Sequence, residues 1–186
     1  LVDHVIDELR PRAHGHTFDV RLEPGVARVR TDEGKLHQIL SNLVENALKY
    51  SPPDTRVTVR VEGRPEGVLV TVEDEGPGIP PEHRERVFER FFQGDQSSTR
   101  RVGGVGLGLY ICRSLSEAIG AELWIERSGP TGTAFALLLP SAPPGEEDEA
   151  PSGEEVEAPS GERDETPPGE GAEGRSPLRR AVGAGA

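Results

Sequence analysis

The sequence predicts a two-layer α/β sandwich, with helices covering one face of a mixed β-sheet. Three observations carry this expectation. Two long segments repeat apolar residues at helical spacing: Leu36, Ile39, Leu40, Leu43, Val44, Ala47 and Leu48 in the first, and residues 105–119 in the second. Other segments alternate apolar and polar residues as strands do, with Val57, Val59 and Val61 facing Val68, Val70 and Val72 in a hairpin, and two more near 122–127 and 133–139. The order along the chain is helix, strands, helix, hairpin, helix, strands, which suits helices packed on one side of a single sheet.

Each element has a local reason. Residues 1–13 place Val2, Val5, Ile6, Leu9 and Ala13 on one helical face, and Pro11 limits how far that helix runs. Phe18, Val20 and Leu22 alternate as a half-buried strand, Pro24-Gly25 turns the chain, and residues 26–30 are expected as a further strand. Thr31 or Asp32 caps a helix that runs to Tyr50 and is stopped by Pro52-Pro53. After the hairpin, with its turn over 63–67, residues 74–81 form a Gly/Pro loop and 82–88 a short helix. Residues 93–104 are polar and Gly-containing, which predicts a mobile loop, and Gly120 stops the helix over 105–119.

Composition divides the chain in two. Of the 186 residues, every aromatic lies between Phe18 and Phe135. Residues 141–186 carry twelve Asp and Glu against four Arg, so this segment holds −8 of the net −12 and leaves −4 for the rest. A short repeat, Ala-Pro-Ser-Gly-Glu, occurs at 150–154 and 158–162. Such a segment cannot bury enough apolar surface to offset an ordering entropy of about 1–2 kcal/mol per residue. The expected organisation is a folded domain over 1–140 and a disordered acidic tail over 141–186, with an acidic interaction tail as the alternative reading. The acidity belongs mostly to that tail, and no nucleic-acid partner is expected. Cys112, the sole cysteine, excludes an intramolecular disulfide and a cysteine metal cluster, and fits a reducing compartment. The longest apolar run, 134–139, falls far short of the ~20 residues that span a bilayer. The chain begins at Leu1 and contains no Met, so a piece of a longer protein is expected.

Three segments carry candidate chemistry. Asn42 and Asn46 are four apart and Lys49 three further on, which sets two amides and an ammonium along one helical stripe. Asn oxygens suit a hard cation and an ammonium suits phosphate. Asp74-Glu75-Gly76-Pro77-Gly78-Ile79 follows a strand, where glycine lets a backbone approach a ligand and Asp74 can accept from an exocyclic amine. Gly103-Gly104-Val105-Gly106-Leu107-Gly108-Leu109 opens a helix, whose N-terminal N–H groups and dipole favour phosphate. Taken singly, these also read as a solvated polar face, an ordinary turn and a flexible helix start. The Gly-x-Gly-x-Gly run lacks the spacing of a dinucleotide fingerprint, and no Gly-Lys-Ser/Thr marks a P-loop.

Together and in this order, with Phe88-Glu89-Arg90-Phe91-Phe92 between the second and third, they resemble the N, G1, F and G2 boxes of the ATP-binding catalytic domains of sensor histidine kinases. Those domains belong to a superfamily shared with type II DNA topoisomerases, ninety-kilodalton heat-shock chaperones and mismatch-repair ATPases. The resemblance spans about 32–140, with Gly132-Thr133-Ala134-Phe135 similar to the final strand. It implies a Bergerat-type fold and ATP with Mg²⁺ as cofactors. It also implies that Asn46 ligates Mg²⁺ with Asn42 nearby, and that Lys49 and Tyr50 approach the phosphates or their lid, with Asn42, Asn46 and Lys49 as the catalytic set. Asp74 would hold the adenine amino group, while Gly76, Gly78 and Ile79 pass the base. Gly104, Gly106, Leu107, Gly108 and Leu109 would hinge the lid, 93–102, and present N–H groups to phosphate, and Thr133 would line the pocket. Phe91 and Phe92 would pack the root of the lid. Departures from the pattern are Gln93 for a common Arg, with Arg90, Arg100 or Arg101 as substitutes, Val105 for Thr or Ser, and Ala134 for Thr or Ser.

The resemblance implies transfer of the ATP γ-phosphoryl group to a His on a helical dimerisation hairpin, for relay to an Asp of a response regulator. None of His4, His14, His16, His37 or His83 is followed by an acid, as the family's acceptor typically is, so the acceptor is expected outside this chain. The first helix, about 1–15, would follow that hairpin in a homodimeric, membrane-anchored protein whose catalytic domain is cytoplasmic. The alternatives are a protein-serine kinase of the anti-sigma type, an ATP hydrolase of the same superfamily, and a nucleotide-sensing module without chemistry. The hydrolases place a Glu one turn before the metal-binding Asn, where this chain has Asn42.

Overall fold

The periodicities become five strands and three α-helices in a computed structural model that describes residues 1–13, 15–94 and 105–141. Helix α1 (Val2–Leu9) buries Val5, Ile6 and Leu9 and tightens into a 3₁₀ turn, Arg10–Arg12, at Pro11. Strand β1 (Thr17–Leu22) follows. Helix α2 (Glu33–Tyr50) is capped by Asp32, whose carboxylate accepts from the Lys35 N–H at 2.9 Å. Strands β2 (Arg56–Arg64) and β3 (Gly67–Glu73) form the hairpin. Helix α3 (Gly108–Ala118) precedes β4 (Glu122–Gly129) and β5 (Gly132–Pro140).

The sheet order is β1-β2-β3-β5-β4. Strand β1 runs parallel to β2, and the other pairs are antiparallel. A parallel pair needs a crossover, and α2 supplies it. One sheet face contributes Val57, Val59, Val61, Val68, Val70, Val72, Phe135, Leu137 and Leu139 to the core, the alternate residues that the period of two selects. Helix α2 lays Leu36, Ile39, Leu40, Leu43, Val44 and Ala47 into that core, and α1 adds its three buried residues. Each fully buried Val, Leu or Ile contributes roughly 1.5–3 kcal/mol, so α2 is anchored mainly by this stripe and only secondarily by its cap. The polar stripe of α2 is thereby fixed toward solvent and α3.

Three elements differ from expectation. Residues 26–30 form no strand, although Val26 and Val29 pack against the core. The segment over 82–88 is two 3₁₀ turns, Pro81–His83 and Arg86–Phe88, because only Val87 and Phe88 find apolar partners there. Helix α3 starts at Gly108 rather than 105, since Gly106 has φ +72°, outside the helical region. Among the described residues no helix is long and apolar enough to cross a membrane. Gly104, Arg100, Arg101, most of the expected lid, and the tail beyond Ser141 lie outside the described residues.

Candidate functional site

Helix α2 touches both glycine-rich segments. At its C-terminal end, the carbonyl oxygen of Tyr50 lies 3.1 Å from where a Gly76 side chain would begin. Two turns earlier, the equivalent point at Gly108 lies 3.6 Å from Asn42 Oδ1 and 3.9 Å from Asn46 Nδ2. Glycine at 76 lets the loop after β3 approach α2 closely, whereas at Gly108 the distances are ordinary van der Waals contacts that bring the first turn of α3 beside the two asparagines. Asn42 Nδ2 donates to the Gln38 carbonyl at 3.0 Å, which leaves its oxygen toward α3. Asn46 and Lys49 are half-buried on the same stripe, and the Lys49 ammonium sits 4.9 Å from the Tyr50 ring centroid. Glu45 points elsewhere, paired with Arg12 at 2.8 Å.

Asp74 is the buried charge of the site, at 8% exposure. Its Oδ1 accepts from the N–H of Gly76 at 2.7 Å and of Thr133 at 3.2 Å. Among the described residues Oδ2 has no hydrogen-bond partner, so it is the oxygen left for a ligand. Burial raises the pKa of this carboxyl above its ordinary value, opposed by the two backbone N–H groups. The strand-end turns hold the loop in place. Gly78 has φ +78° and Gly132 φ +132°, and side chains there would begin 2.1 Å from the Gly129 oxygen and 1.9 Å from the Asp74 oxygen.

Ser128 and Arg84, which the sequence pattern does not single out, complete this wall. Ser128 Oγ accepts from the Ile79 N–H at 2.7 Å and lies 3.1 Å from Thr133 Oγ1. Arg84 donates to the Ser128 carbonyl at 2.7 Å and to the Ile79 carbonyl at 3.4 Å. Their only sequence signal is position, on either side of the Gly76–Gly78 and Gly129–Gly132 turns.

The F-box aromatics meet the last glycine segment. The Phe91 N–H donates to the Gly106 carbonyl at 2.9 Å, and Phe91 itself has φ +62° and is 65% exposed. Arg90 hydrogen-bonds the Tyr110 hydroxyl and lies over that ring, 4.5 Å from its centroid. A cleft of about 330 Å³ opens beside Arg86, Arg90, Phe91 and Phe92. At α3, Leu107 provides no side-chain cap, and the first helical bond is from the Ile111 N–H to the Leu107 carbonyl at 2.9 Å. The N–H groups of Gly108, Leu109 and Tyr110 therefore receive no cap from the side chain of Leu107. Of the sequence-predicted residues, Asn42, Asn46, Lys49 and Tyr50 lie on α2, Asp74, Gly76, Gly78 and Ile79 on the loop after β3, Thr133 at the start of β5, and Gly106, Leu107, Gly108 and Leu109 at and just before the start of α3.

Comparison with known proteins bears on this arrangement. The family described as "Histidine kinase-, DNA gyrase B-, and HSP90-like ATPase" matches residues 31–143. The sensor histidine kinase WalK of Bacillus subtilis is 39% identical over 122 residues, covering 64% of this chain, which spans only 20% of WalK. The solved mycobacterial sensor histidine kinase MprB is 34% identical with a TM-score of 0.65, over 76% of this chain and 93% of that one. Full-length ShkA, solved in complex with AMPPNP, is 31% identical with a TM-score of 0.65, over 77% of this chain and 30% of that one.

Proposed function

Because the chain belongs to the family of histidine kinase-, DNA gyrase B- and HSP90-like ATPases, as an ATP-binding catalytic domain of the sensor histidine kinase kind, we propose that it transfers the γ-phosphoryl group of ATP to a His supplied from outside this chain. The observation that carries the reading is the double contact of α2, with Gly76 at one end and Gly108 at the other. At roughly 1.5 Å per residue, the distance from Asn42 to Tyr50 is on the order of 12 Å, long enough to span from a base to its phosphates.

At the base end, Asp74 Oδ2 accepts from the adenine 6-amino group, and Gly76, Gly78 and Ile79 pass the ring. Guanine offers a carbonyl there and would meet an acceptor with an acceptor. Thr133 and Ser128 hold the wall. At the phosphate end, the uncapped N–H groups of Gly108 and Leu109 and the α3 dipole face anionic oxygens, with Gly104, Gly106 and Leu107 as the hinge before them. Lys49, on a long side chain, adds a positive charge toward the phosphates, whereas Tyr50, 52% exposed, stands at the base end, where its carbonyl meets Gly76.

The amide oxygens of Asn42 and Asn46 suit a hard cation; the Asn42 oxygen already lies toward Gly108, and a flip of the Asn46 amide, whose Nδ2 is the nearer atom, brings its oxygen to the same side. Mg²⁺, when bound, neutralises phosphate charge. Asn46, with Asn42 beside it, is the residue proposed to hold it. The acceptor imidazole nitrogen attacks γ-phosphorus, the bond to the β–γ bridging oxygen breaks, and ADP leaves.

Hydrolysis needs a base for water. Asn42 has none to offer, and Glu45 is engaged with Arg12. This favours transfer over the ATP hydrolase reading. The wider proposal is a homodimer paired through a dimerisation hairpin, anchored in a membrane with this domain cytoplasmic, and relaying phosphoryl to a response regulator. Within it residues 1–140 form the catalytic unit and 141–186 a solvated tail. The test is γ-labelled ATP with Mg²⁺, with and without a dimerisation hairpin carrying its acceptor His. Label on the hairpin and slow phosphate release from the domain alone are expected. Rapid release without transfer would favour the hydrolase, and label on a serine of an added substrate protein the anti-sigma type of kinase.

A further inference from the structure

We propose that His4, Glu8 and His37 form a divalent transition-metal site, of the kind filled by Zn²⁺, that ties α1 to α2. His4 and Glu8 are four residues apart on α1 and so share one helical face. His37 projects from the second turn of α2. One ligand atom from each of the three lies within 4.8 Å of the other two. His37 Nε2 is 3.1 Å from Glu8 Oε2, and the His4 and His37 rings are 5.6 Å apart, tilted by 47°. Tetrahedral Zn²⁺ with bonds of about 2.0–2.1 Å separates its ligands by about 3.3 Å. Closing the set to that spacing requires its ligand atoms to approach by at most about 1.5 Å, from 4.8 Å to about 3.3 Å.

The scaffold beneath is rigid. Val5 and Ile6 of α1 are buried against Leu40 and Val44 of α2, so the two helices hold a fixed relation while the ligands stand at the rim. Two imidazoles and one carboxylate form a borderline-soft set, which selects Zn²⁺ over Mg²⁺, whose preference is for oxygen. His4 and Glu8 are exposed, so an ion enters directly and water completes the coordination. This ion is distinct from the one assigned to Asn46, and the site does not depend on that assignment. The competing account is an ordinary surface ion pair between Glu8 and His37 with His4 stacked beside it. Such exposed pairs contribute little and do not require His4.

The experiment uses the full chain after stripping with a chelator, titrated calorimetrically with ZnCl₂ in the presence of Mg²⁺. One equivalent is expected to bind, with a thermal midpoint raised by about 5 °C at saturating ion. His4→Ala leaves the Glu8–His37 pair intact, yet Zn²⁺ affinity should fall at least about tenfold. His37→Ala should abolish binding, whereas His16→Gln should retain it. Co²⁺ in place of Zn²⁺ should give visible absorption in the parent chain that His4→Ala weakens. Absence of binding, or binding equally tight in His4→Ala and His37→Ala, overturns the proposal.

Discussion

Asp74 and Thr133 are bonded twice: the Asp74 N–H donates to the Thr133 carbonyl at 2.9 Å, and the Thr133 N–H returns a bond to Asp74 Oδ1 at 3.2 Å. The second bond orients a buried carboxylate whose pKa is raised chiefly by desolvation. A carboxyl with a raised folded-state pKa binds its proton more tightly folded than unfolded. Ionised Asp74 therefore opposes folding at neutral pH, and that opposition fades as pH falls through the raised value. Asn in its place keeps the oxygen that Gly76 and Thr133 bond and removes the charge. The nucleotide-free Asp74→Asn chain is expected to melt at the same temperature as the parent or higher at pH 7, with any gain shrinking toward pH 4. Thermal melts at the two pH values check this, and a midpoint lowered by more than about 4 °C at pH 7 would count against it.

Gly132 sits where no side chain fits, with 1.9 Å available before the Asp74 carbonyl oxygen and φ +132°. Gly132→Ala must displace the β3 end and with it Asp74. The expected destabilisation is about 1–3 kcal/mol, seen in denaturant melts, together with weakened ATP binding. Gly120→Ala is the comparison. Gly120 has positive φ but nothing within 4 Å, so only backbone strain is added and ATP binding is retained.

Cys112 is fully buried between α3 and α2, donates to the Ile39 carbonyl at 3.7 Å, and has its thiol pKa pushed up to about 12 by desolvation. The thiol, not the reactive thiolate, is thus the form present at neutral pH. Iodoacetamide at pH 8 should leave the native chain unmodified and label it rapidly in denaturant. Mass spectrometry reads the difference, and prompt labelling of the native chain would show that α3 opens from α2.

Asn46→Asp tests the phosphate end. On the proposed assignment it keeps an oxygen for Mg²⁺ but adds a negative charge beside the phosphates. Transfer to the acceptor hairpin is expected to drop more than about tenfold, some 1.4 kcal/mol or more of transition-state stabilisation. Unchanged single-turnover rates would remove Asn46 from the phosphate environment.

Much of this was legible in the chain. The stripe from Leu36 to Ala47 and the alternation of Val57–Val61 against Val68–Val72 report burial directly, because period and face are fixed by backbone geometry. The boxes were legible as a spaced set, and α2 brings them together. Residues 26–30 misled because Val26 and Val29 pack on the core without a neighbouring strand to pair with, a tertiary matter that alternation cannot report. Apolar periodicity continues through Val105 and Leu107 and so predicts an early start for α3, but Gly106 turns the backbone out of the helical region. Ser128, Arg84 and the His4–Glu8–His37 group arise from contacts between distant segments, which no local pattern encodes.

The adenine end of the site is tested most directly by calorimetry of the full chain with ATP and with GTP in Mg²⁺, repeated on Asp74→Asn. ATP is expected to bind well and GTP at least about tenfold more weakly, because guanine sets a carbonyl against Asp74 Oδ2. Asp74→Asn, folded as the melts establish, should lose most of that affinity and most of the preference. Equal affinity of the parent chain for ATP and GTP, or undiminished ATP preference in Asp74→Asn, would contradict recognition of the base by Asp74.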